Sequence, residues 1–160
     1  MNNDIITIGW REWVSLPELK IPRIKAKVDT GAKTSCLHAF EINEYRDKNI
    51  EKLRFLIHPR QKRNDIVTEC HATLLDKRTV SDSGGHKEMR YVISTPLVIG
   101  DIQWDIEITL TNRDTMMFRM LLGRTAMKNK IVVDPAKSYL MGKRLRKNAK
   151  PNKTGTRGRS

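Results

Sequence analysis
Along most of the chain apolar residues alternate one for one with polar ones, while the spacing of three to four that marks an amphipathic helix is scarce. The pattern predicts a body of short strands. Ile24, Ala26 and Val28 alternate with Lys25 and Lys27, which predicts a half-exposed strand running directly into Asp29-Thr30-Gly31-Ala32. Leu37 and Ala39, then Leu53, Phe55 and Ile57, repeat the alternation, and the polar segment from Asn43 to Lys52 between them reads as a loop or one helical turn. Strand pattern resumes at Thr68 to Leu75, at Arg78 to Ser81 and at Met89, Tyr91 and Ile93. Ser83-Gly84-Gly85-His86 lies between the last two, and its glycines can adopt positive φ, so a hairpin tip is predicted there. Gly100-Asp101 marks a second hairpin, from Leu97 to Ile99 into a strand carrying Trp104, Ile106, Ile108 and Leu110. Met120-Leu121-Leu122-Gly123 has the continuous apolar character of a buried strand, Arg124 to Lys128 can start a short helix, and Ile131 to Val133 with Ser138 to Met141 close the core. Many short strands with closely spaced turns predict a small barrel or sandwich, not a parallel sheet with crossover helices.

Length and charge divide the chain. The 160 residues suit one domain with a tail. Eight basic residues and no acidic one fall between Lys143 and Ser160, a segment with almost nothing apolar to offset the entropy of ordering it. The expected division is a β domain over 1–142 and a disordered basic tail over 143–160. The whole chain carries a formal charge of +13; without the tail, 23 basic residues face 18 acidic ones, leaving 23 − 18 = +5. Both parts favour anionic partners. The tail has three open readings: a solubilising terminus, weak RNA or ribosome association, or steering of an acidic polypeptide. No recognition helix, zinc-finger spacing or aromatic RNA-binding motif stands in the sequence, which argues against a sequence-specific nucleic-acid module. The longest uncharged stretch, Tyr91 to Gly100, is too short to span a bilayer, and the first residues lack the pattern of a secretory signal. The expectation is a cytoplasmic protein with no membrane contact, in which Cys36 and Cys70 are free thiols.

The sharpest chemical feature is Asp29-Thr30-Gly31. A carboxylate on a tight turn, a hydroxyl able to hold that turn and a glycine that lets backbone approach a ligand make a usable catalytic unit. A turn residue capping a strand is the plainer reading of the same acid. Asp82-Ser83-Gly84 repeats the acid-hydroxyl-glycine order, so one chain can in principle supply two acids. The strand before it is largely polar and no small apolar residue follows it, which favours a hairpin tip.

Lys27-Val28-Asp29-Thr30-Gly31-Ala32, the glycine pair at Ser83 to His86 and Leu121-Leu122-Gly123-Arg124 follow the order of the retroviral-type aspartic peptidases. With Gly9-Trp10-Arg11-Glu12, Arg90-Tyr91-Val92-Ile93 and Phe118-Arg119-Met120-Leu121-Leu122-Gly123-Arg124-Thr125-Ala126, the chain from Ile5 to Gly142 resembles the bacterial retropepsin-like aspartic endopeptidase domain family, many of whose members carry the older label of ATP-dependent zinc protease. The resemblance implies a mainly β, retropepsin-like closed barrel with one short C-terminal helix. It implies peptide hydrolysis by two aspartates about 3 Å apart that share one proton, the charged one activating water and the neutral one protonating the substrate carbonyl. With one such triplet per chain, it implies a homodimer in which Asp29 of each copy meets on the two-fold axis. Thr30, Gly31, Ala32 and Arg124 would then support the catalytic turn, Arg124 through a carboxylate. Ser83, Gly84, Gly85 and His86 would form a flap over substrate. Some relatives are associated with an ATP-grasp ligase that adds glutamates to a ribosomal protein, which implies an acidic polypeptide substrate and association with ribosome or ligase.

The older label has little footing in the residues. No His-Glu-x-x-His motif and no Gly-x-x-x-x-Gly-Lys-Ser/Thr loop is present. Cys36 and His38 can share a strand face, but Cys70 and His71 are adjacent and point oppositely on a regular strand, so neither metal nor other cofactor is expected. Trp10, Trp13 and Trp104 read as packing residues, and Met116, Met117 and Met120 as core filler. The competing function from another class is a non-catalytic basic β-barrel module that docks on ribosome, RNA or acidic protein.

Overall fold
Eleven strands, a 3-10 turn at Pro17–Leu19 and one short α-helix follow one another in the computed structural model, which describes residues 5–61, 63–81, 84–113 and 116–142. The strands are β1 (Ile6–Ile8), β2 (Arg11–Leu16), β3 (Ile21–Val28), β4 (Ser35–His38), β5 (Phe40–Asp47), β6 (Ile50–Ile57), β7 (Thr68–Ser81), β8 (Lys87–Ile99), β9 (Ile102–Thr111), β10 (Met120–Leu122) and β11 (Ile131–Val133), with α1 at Arg124–Met127. The chain is mainly β, as its alternation predicts.

Hydrogen-bonded neighbours run β2-β3-β10-β4-β9-β8, and Ser15 of β2 pairs with Val98 of β8, so this part of the sheet returns on itself as a ring. Closure removes two sheet edges that would otherwise leave backbone groups unpaired. β8 is long enough to serve two structures: its C-terminal half completes the ring, while its N-terminal half pairs with β7 and carries the sheet on to β6 and β5. The inward positions of every ring strand, among them Ile24, Ala26, Leu37, Ile93, Ile108, Met120 and Leu122, form one buried cluster. Alternation in the sequence thus becomes a wet and a dry face in the fold.

Two segments depart from the sequence expectations. Asn43 to Lys52 is neither loop nor helical turn but the two arms of the β5–β6 hairpin, with Asp47 opposite Ile50 and both Lys48 and Asn49 at positive φ. Two such residues in a row make a turn whose twist matches the strands. The segment is polar because both faces of β5 are largely open to solvent. Thr68 to Ser81 is one strand interrupted by a register shift between Leu74 and Asp76, not two. Met120 is core, but Met117 is 65% exposed and Met116 half-buried, because both precede the point where the chain enters the ring.

Ser138 to Met141 adds no strand. It is held instead by Glu12, whose fully buried carboxylate accepts from the backbone N–H of Gly9 at 2.7 Å, Leu140 at 2.8 Å and Met141 at 3.0 Å. A buried charge is tolerable when several donors converge on it. Tyr139 is thereby laid against Trp13, ring centroids 6.3 Å apart, and Gly9 is pressed so close to Lys137 that a Cβ there would lie 2.3 Å from the Lys137 carbonyl oxygen. Trp10 and Trp104 also pack, Trp10 edge-on to Phe118 and Trp104 donating from Nε1 to the Ala126 carbonyl at 3.0 Å.

Candidate active site
β10 lies between the two strands that flank the acid turn, parallel to β3 and antiparallel to β4. The turn from Asp29 to Thr34 therefore crosses the end of β10 and is bonded to that end and to the residues that follow it. Asp29 N–H donates to the Leu122 carbonyl at 2.9 Å, Gly123 N–H to the Ser35 hydroxyl at 3.0 Å, Arg124 N–H to the Ala32 carbonyl at 2.9 Å and Thr125 N–H to the Lys33 carbonyl at 3.0 Å. Gly123 must be glycine, since a Cβ there would sit 2.6 Å from the Thr34 carbonyl carbon. Ser35 was not singled out by its sequence context; a hydroxyl two residues before a buried leucine gives no local sign that it caps a glycine 88 positions later.

Within the turn, Ala32 N–H closes onto the Asp29 carbonyl at 3.1 Å and Gly31 N–H donates to Asp29 Oδ1 at 3.0 Å. The carboxyl is thus oriented by backbone, half-buried, with its neighbours Thr30 and Gly31 exposed at the surface. Arg124 donates from Nη1 to the Thr30 carbonyl at 3.0 Å, so within the chain it braces the turn through a carbonyl and not a carboxylate. Thr30, Lys33, Arg124 and Lys128 share a cavity of about 700 Å³. This gives the turn a cationic flank.

Residues in cross-strand register share a face. Lys27 and Cys36 both pair with Leu121, and Cys36 pairs with Thr109, so these four side chains form a row directly beneath the acid turn on the face away from the core. Alternation marks Lys27 and Thr109 as outward, but only the pairing of four separate strands reveals the row. Arg90 approaches it, donating from Nη1 to Cys36 Sγ at 3.8 Å while Nε is held by Glu88 at 2.7 Å.

β7 and β8 pair up to Ser81 opposite Lys87, so the predicted flap stands at the tip of their hairpin. Gly85 has φ 86°, and Gly84, Gly85 and His86 are exposed; Asp82 and Ser83 lie outside the described residues, as does the basic tail.

Among the described residues no group of three His, Cys, Asp or Glu side chains is close enough to hold a metal ion. Cys70 donates from Sγ to the Leu19 carbonyl at 3.3 Å, and burial pushes its thiol up to about 12. Burial also raises Cys36, against the opposing pull of Arg90. Because the thiolate is the reactive form, raised values mean slow chemistry. At pH 8 the folded protein is expected to react with iodoacetamide at both cysteines at least about tenfold more slowly than the urea-unfolded chain, a difference that mass spectrometry reads directly; equal rates would contradict the burial.

An acid turn oriented by its own glycine, stitched to an apolar-apolar-glycine strand threaded between its flanking strands, defines a retropepsin-like fold. A family model described as RimB-like, retropepsin-like aspartic endopeptidase RimB, matches residues 7–144, and the chain belongs to that family. It is 42% identical over 144 residues to a probable alpha-L-glutamate ligase of Shewanella pealeana, covering 90% of this chain and 31% of that protein. A protein of the same name from Desulfotalea psychrophila is 46% identical over 144 residues, with 89% and 31% covered. The chain thus spans about a third of the length of these relatives. A crystal structure of Lpg0085 from Legionella pneumophila, of unknown function, superposes with a TM-score of 0.72 at 29% identity, covering 86% of this chain and 99% of that one. No helix among the described residues is long and apolar enough to cross a membrane.

Proposed function
We propose that the protein is an aspartic endopeptidase acting as a homodimer on glutamate-rich polypeptide. The observation that carries this is the Asp29 carboxyl, half-buried and oriented by Gly31 N–H on a turn whose next two residues are exposed. Two copies facing each other across a two-fold axis bring two such acids together, the arrangement that activates water for attack on a peptide carbonyl. Atoms balance without a cofactor: water supplies hydroxyl to the acyl carbon, and its proton passes through the carboxyl pair to the leaving amine. The family match and the excess of cations support the reading. So does the resemblance of the chain to part of proteins named probable alpha-L-glutamate ligases, which directs attention to polypeptides bearing added glutamates. The alternative, a basic binding module without catalysis, accounts for Asp29 only as the cap of its own turn.

The test is incubation with a glutamate-extended peptide and its unextended parent, products being read by mass spectrometry. Cleavage confined to the extended peptide is expected. At concentrations below the dimer dissociation constant, the rate should rise with the square of protein concentration. A rate strictly proportional to concentration in a sample that sediments as monomer would reject the shared site.

A further inference from the structure
Past the acid turn the chain builds a second wall beside it. Arg124 N–H and Thr125 N–H hold α1 against the turn through the Ala32 and Lys33 carbonyls, at 2.9 and 3.0 Å, and Lys128 N–H closes the helix onto the Arg124 carbonyl at 3.0 Å. Asn129, at φ 65°, then returns the chain into β11, where Val132 is 53% exposed while Ile131 and Val133 turn the other way. Between turn and helix lies the cavity of about 700 Å³, within the usual range of ligand sites, about 300–1,000 Å³. Exposed Lys33, Arg124 and Lys128 line its open side; buried Met127 and half-buried Ile131 and Val133 line its depth. No acidic residue lines it among the described residues. Nor does any of the three cations stand in an ion pair there, Arg124 giving Nη1 to a neutral carbonyl.

We infer that this cavity takes a glutamate side chain of the substrate, close to the peptide bond that Asp29 addresses. The inference deepens the proposed function and rests on it. Three cations on one cavity draw a carboxylate and bond it by charge-assisted hydrogen bonds. The apolar depth suits the methylenes that carry that carboxylate, each worth about fourfold in affinity when buried, so glutamate is preferred to the shorter aspartate. Spacing fits as well. Ala32 N–H returns to the Asp29 carbonyl, and the ends of such a four-residue turn lie within about 7 Å. That is about the 6.6 Å between alternate side chains of an extended peptide, so a substrate lying across Asp29 brings a neighbouring side chain to Lys33, the next residue. A compact anion such as phosphate leaves the apolar depth unfilled. Nucleic acid needs ring faces for its bases, and no aromatic residue lines the cavity among the described residues. In this role Lys33 and Lys128 set affinity and specificity and leave the chemical step alone.

Binding separates the site from catalysis. Full-length protein carrying Asp29→Asn is titrated into labelled deca-glutamate, deca-aspartate and deca-glutamine and followed by fluorescence anisotropy. Deca-glutamate is expected to bind about threefold or more tightly than deca-aspartate, with an affinity that falls as salt is raised, and deca-glutamine not measurably. Adding Lys33→Glu with Lys128→Glu should weaken deca-glutamate binding about tenfold or more. Lys33→Gln alone, at an exposed side chain, should cost about threefold and decides the matter where the double variant melts early. Lys48→Glu with Lys52→Glu, on the β5–β6 hairpin, changes the net charge equally and should cost less than about threefold. Equal losses from the two pairs, or equal affinity for the glutamate and aspartate peptides, would overturn the site. A sedimentation coefficient that shifts with Lys33→Glu and Lys128→Glu would overturn it too, since the cavity would then seat a second copy. If deca-glutamate binds as described but wild-type protein cleaves no glutamate-extended peptide, the carboxylate site stands and the peptidase reading falls.

Discussion

Asp29→Asn is expected to slow hydrolysis of a glutamate-rich peptide by at least about 10³-fold, because the amide can neither take a proton from water nor pass one on. The substitution is nearly isosteric, and its side-chain oxygen can still accept from Gly31 N–H, which now lies 3.0 Å from Oδ1. The backbone bond from Asp29 N–H to Leu122 is untouched. Stability should therefore change by less than about 1 kcal/mol. A loss of kcat with unchanged melting temperature and undiminished substrate binding is the signature of a reacting group; a parallel loss of folding would point to the turn-capping role instead. Asp82→Asn is the necessary companion. It should retain activity if the second acid comes from the other copy, as proposed, and inactivation by both substitutions would favour a pair formed within one chain.

The second large effect is structural. Glu12→Ala is expected to destabilise the fold by about 3–5 kcal/mol, since three buried N–H groups, those of Gly9, Leu140 and Met141, lose their acceptor together. Against a typical total of about 5–15 kcal/mol this is severe. Glu12→Gln should recover only part, because one of its two polar atoms would turn a donor toward donors. Urea titration followed by tryptophan fluorescence measures both, and Trp13, stacked on Tyr139, reports release of the Ser138–Met141 segment locally. An alanine variant as stable as the parent would show that the carboxylate is not what holds the two ends of the domain together.

What the chain discloses before folding depends on distance along it. The strand at Ile24 to Val28, the turn at Gly100-Asp101, with Gly100 at φ 59°, and the buried run at Met120 to Leu122 each follow from neighbours, and each stands where its pattern predicts. The β5–β6 hairpin escapes that reading because its stability comes from pairing with β7 and from a Lys-Asn turn whose positive φ values no glycine advertises. Glu12 looks like any surface acid on a strand; only partners 128 and 129 positions away make it a buried clasp. The acid turn itself was legible as a triplet.

The threading of β10 between β3 and β4 also fixes when the acid turn can take its final shape. Asp29 waits for a carbonyl 93 positions downstream (122 minus 29), and such distant closures form late and slowly. A polypeptide still emerging from its synthesis machinery therefore holds an unset turn at Asp29 until Leu122 has been made and has folded back onto it.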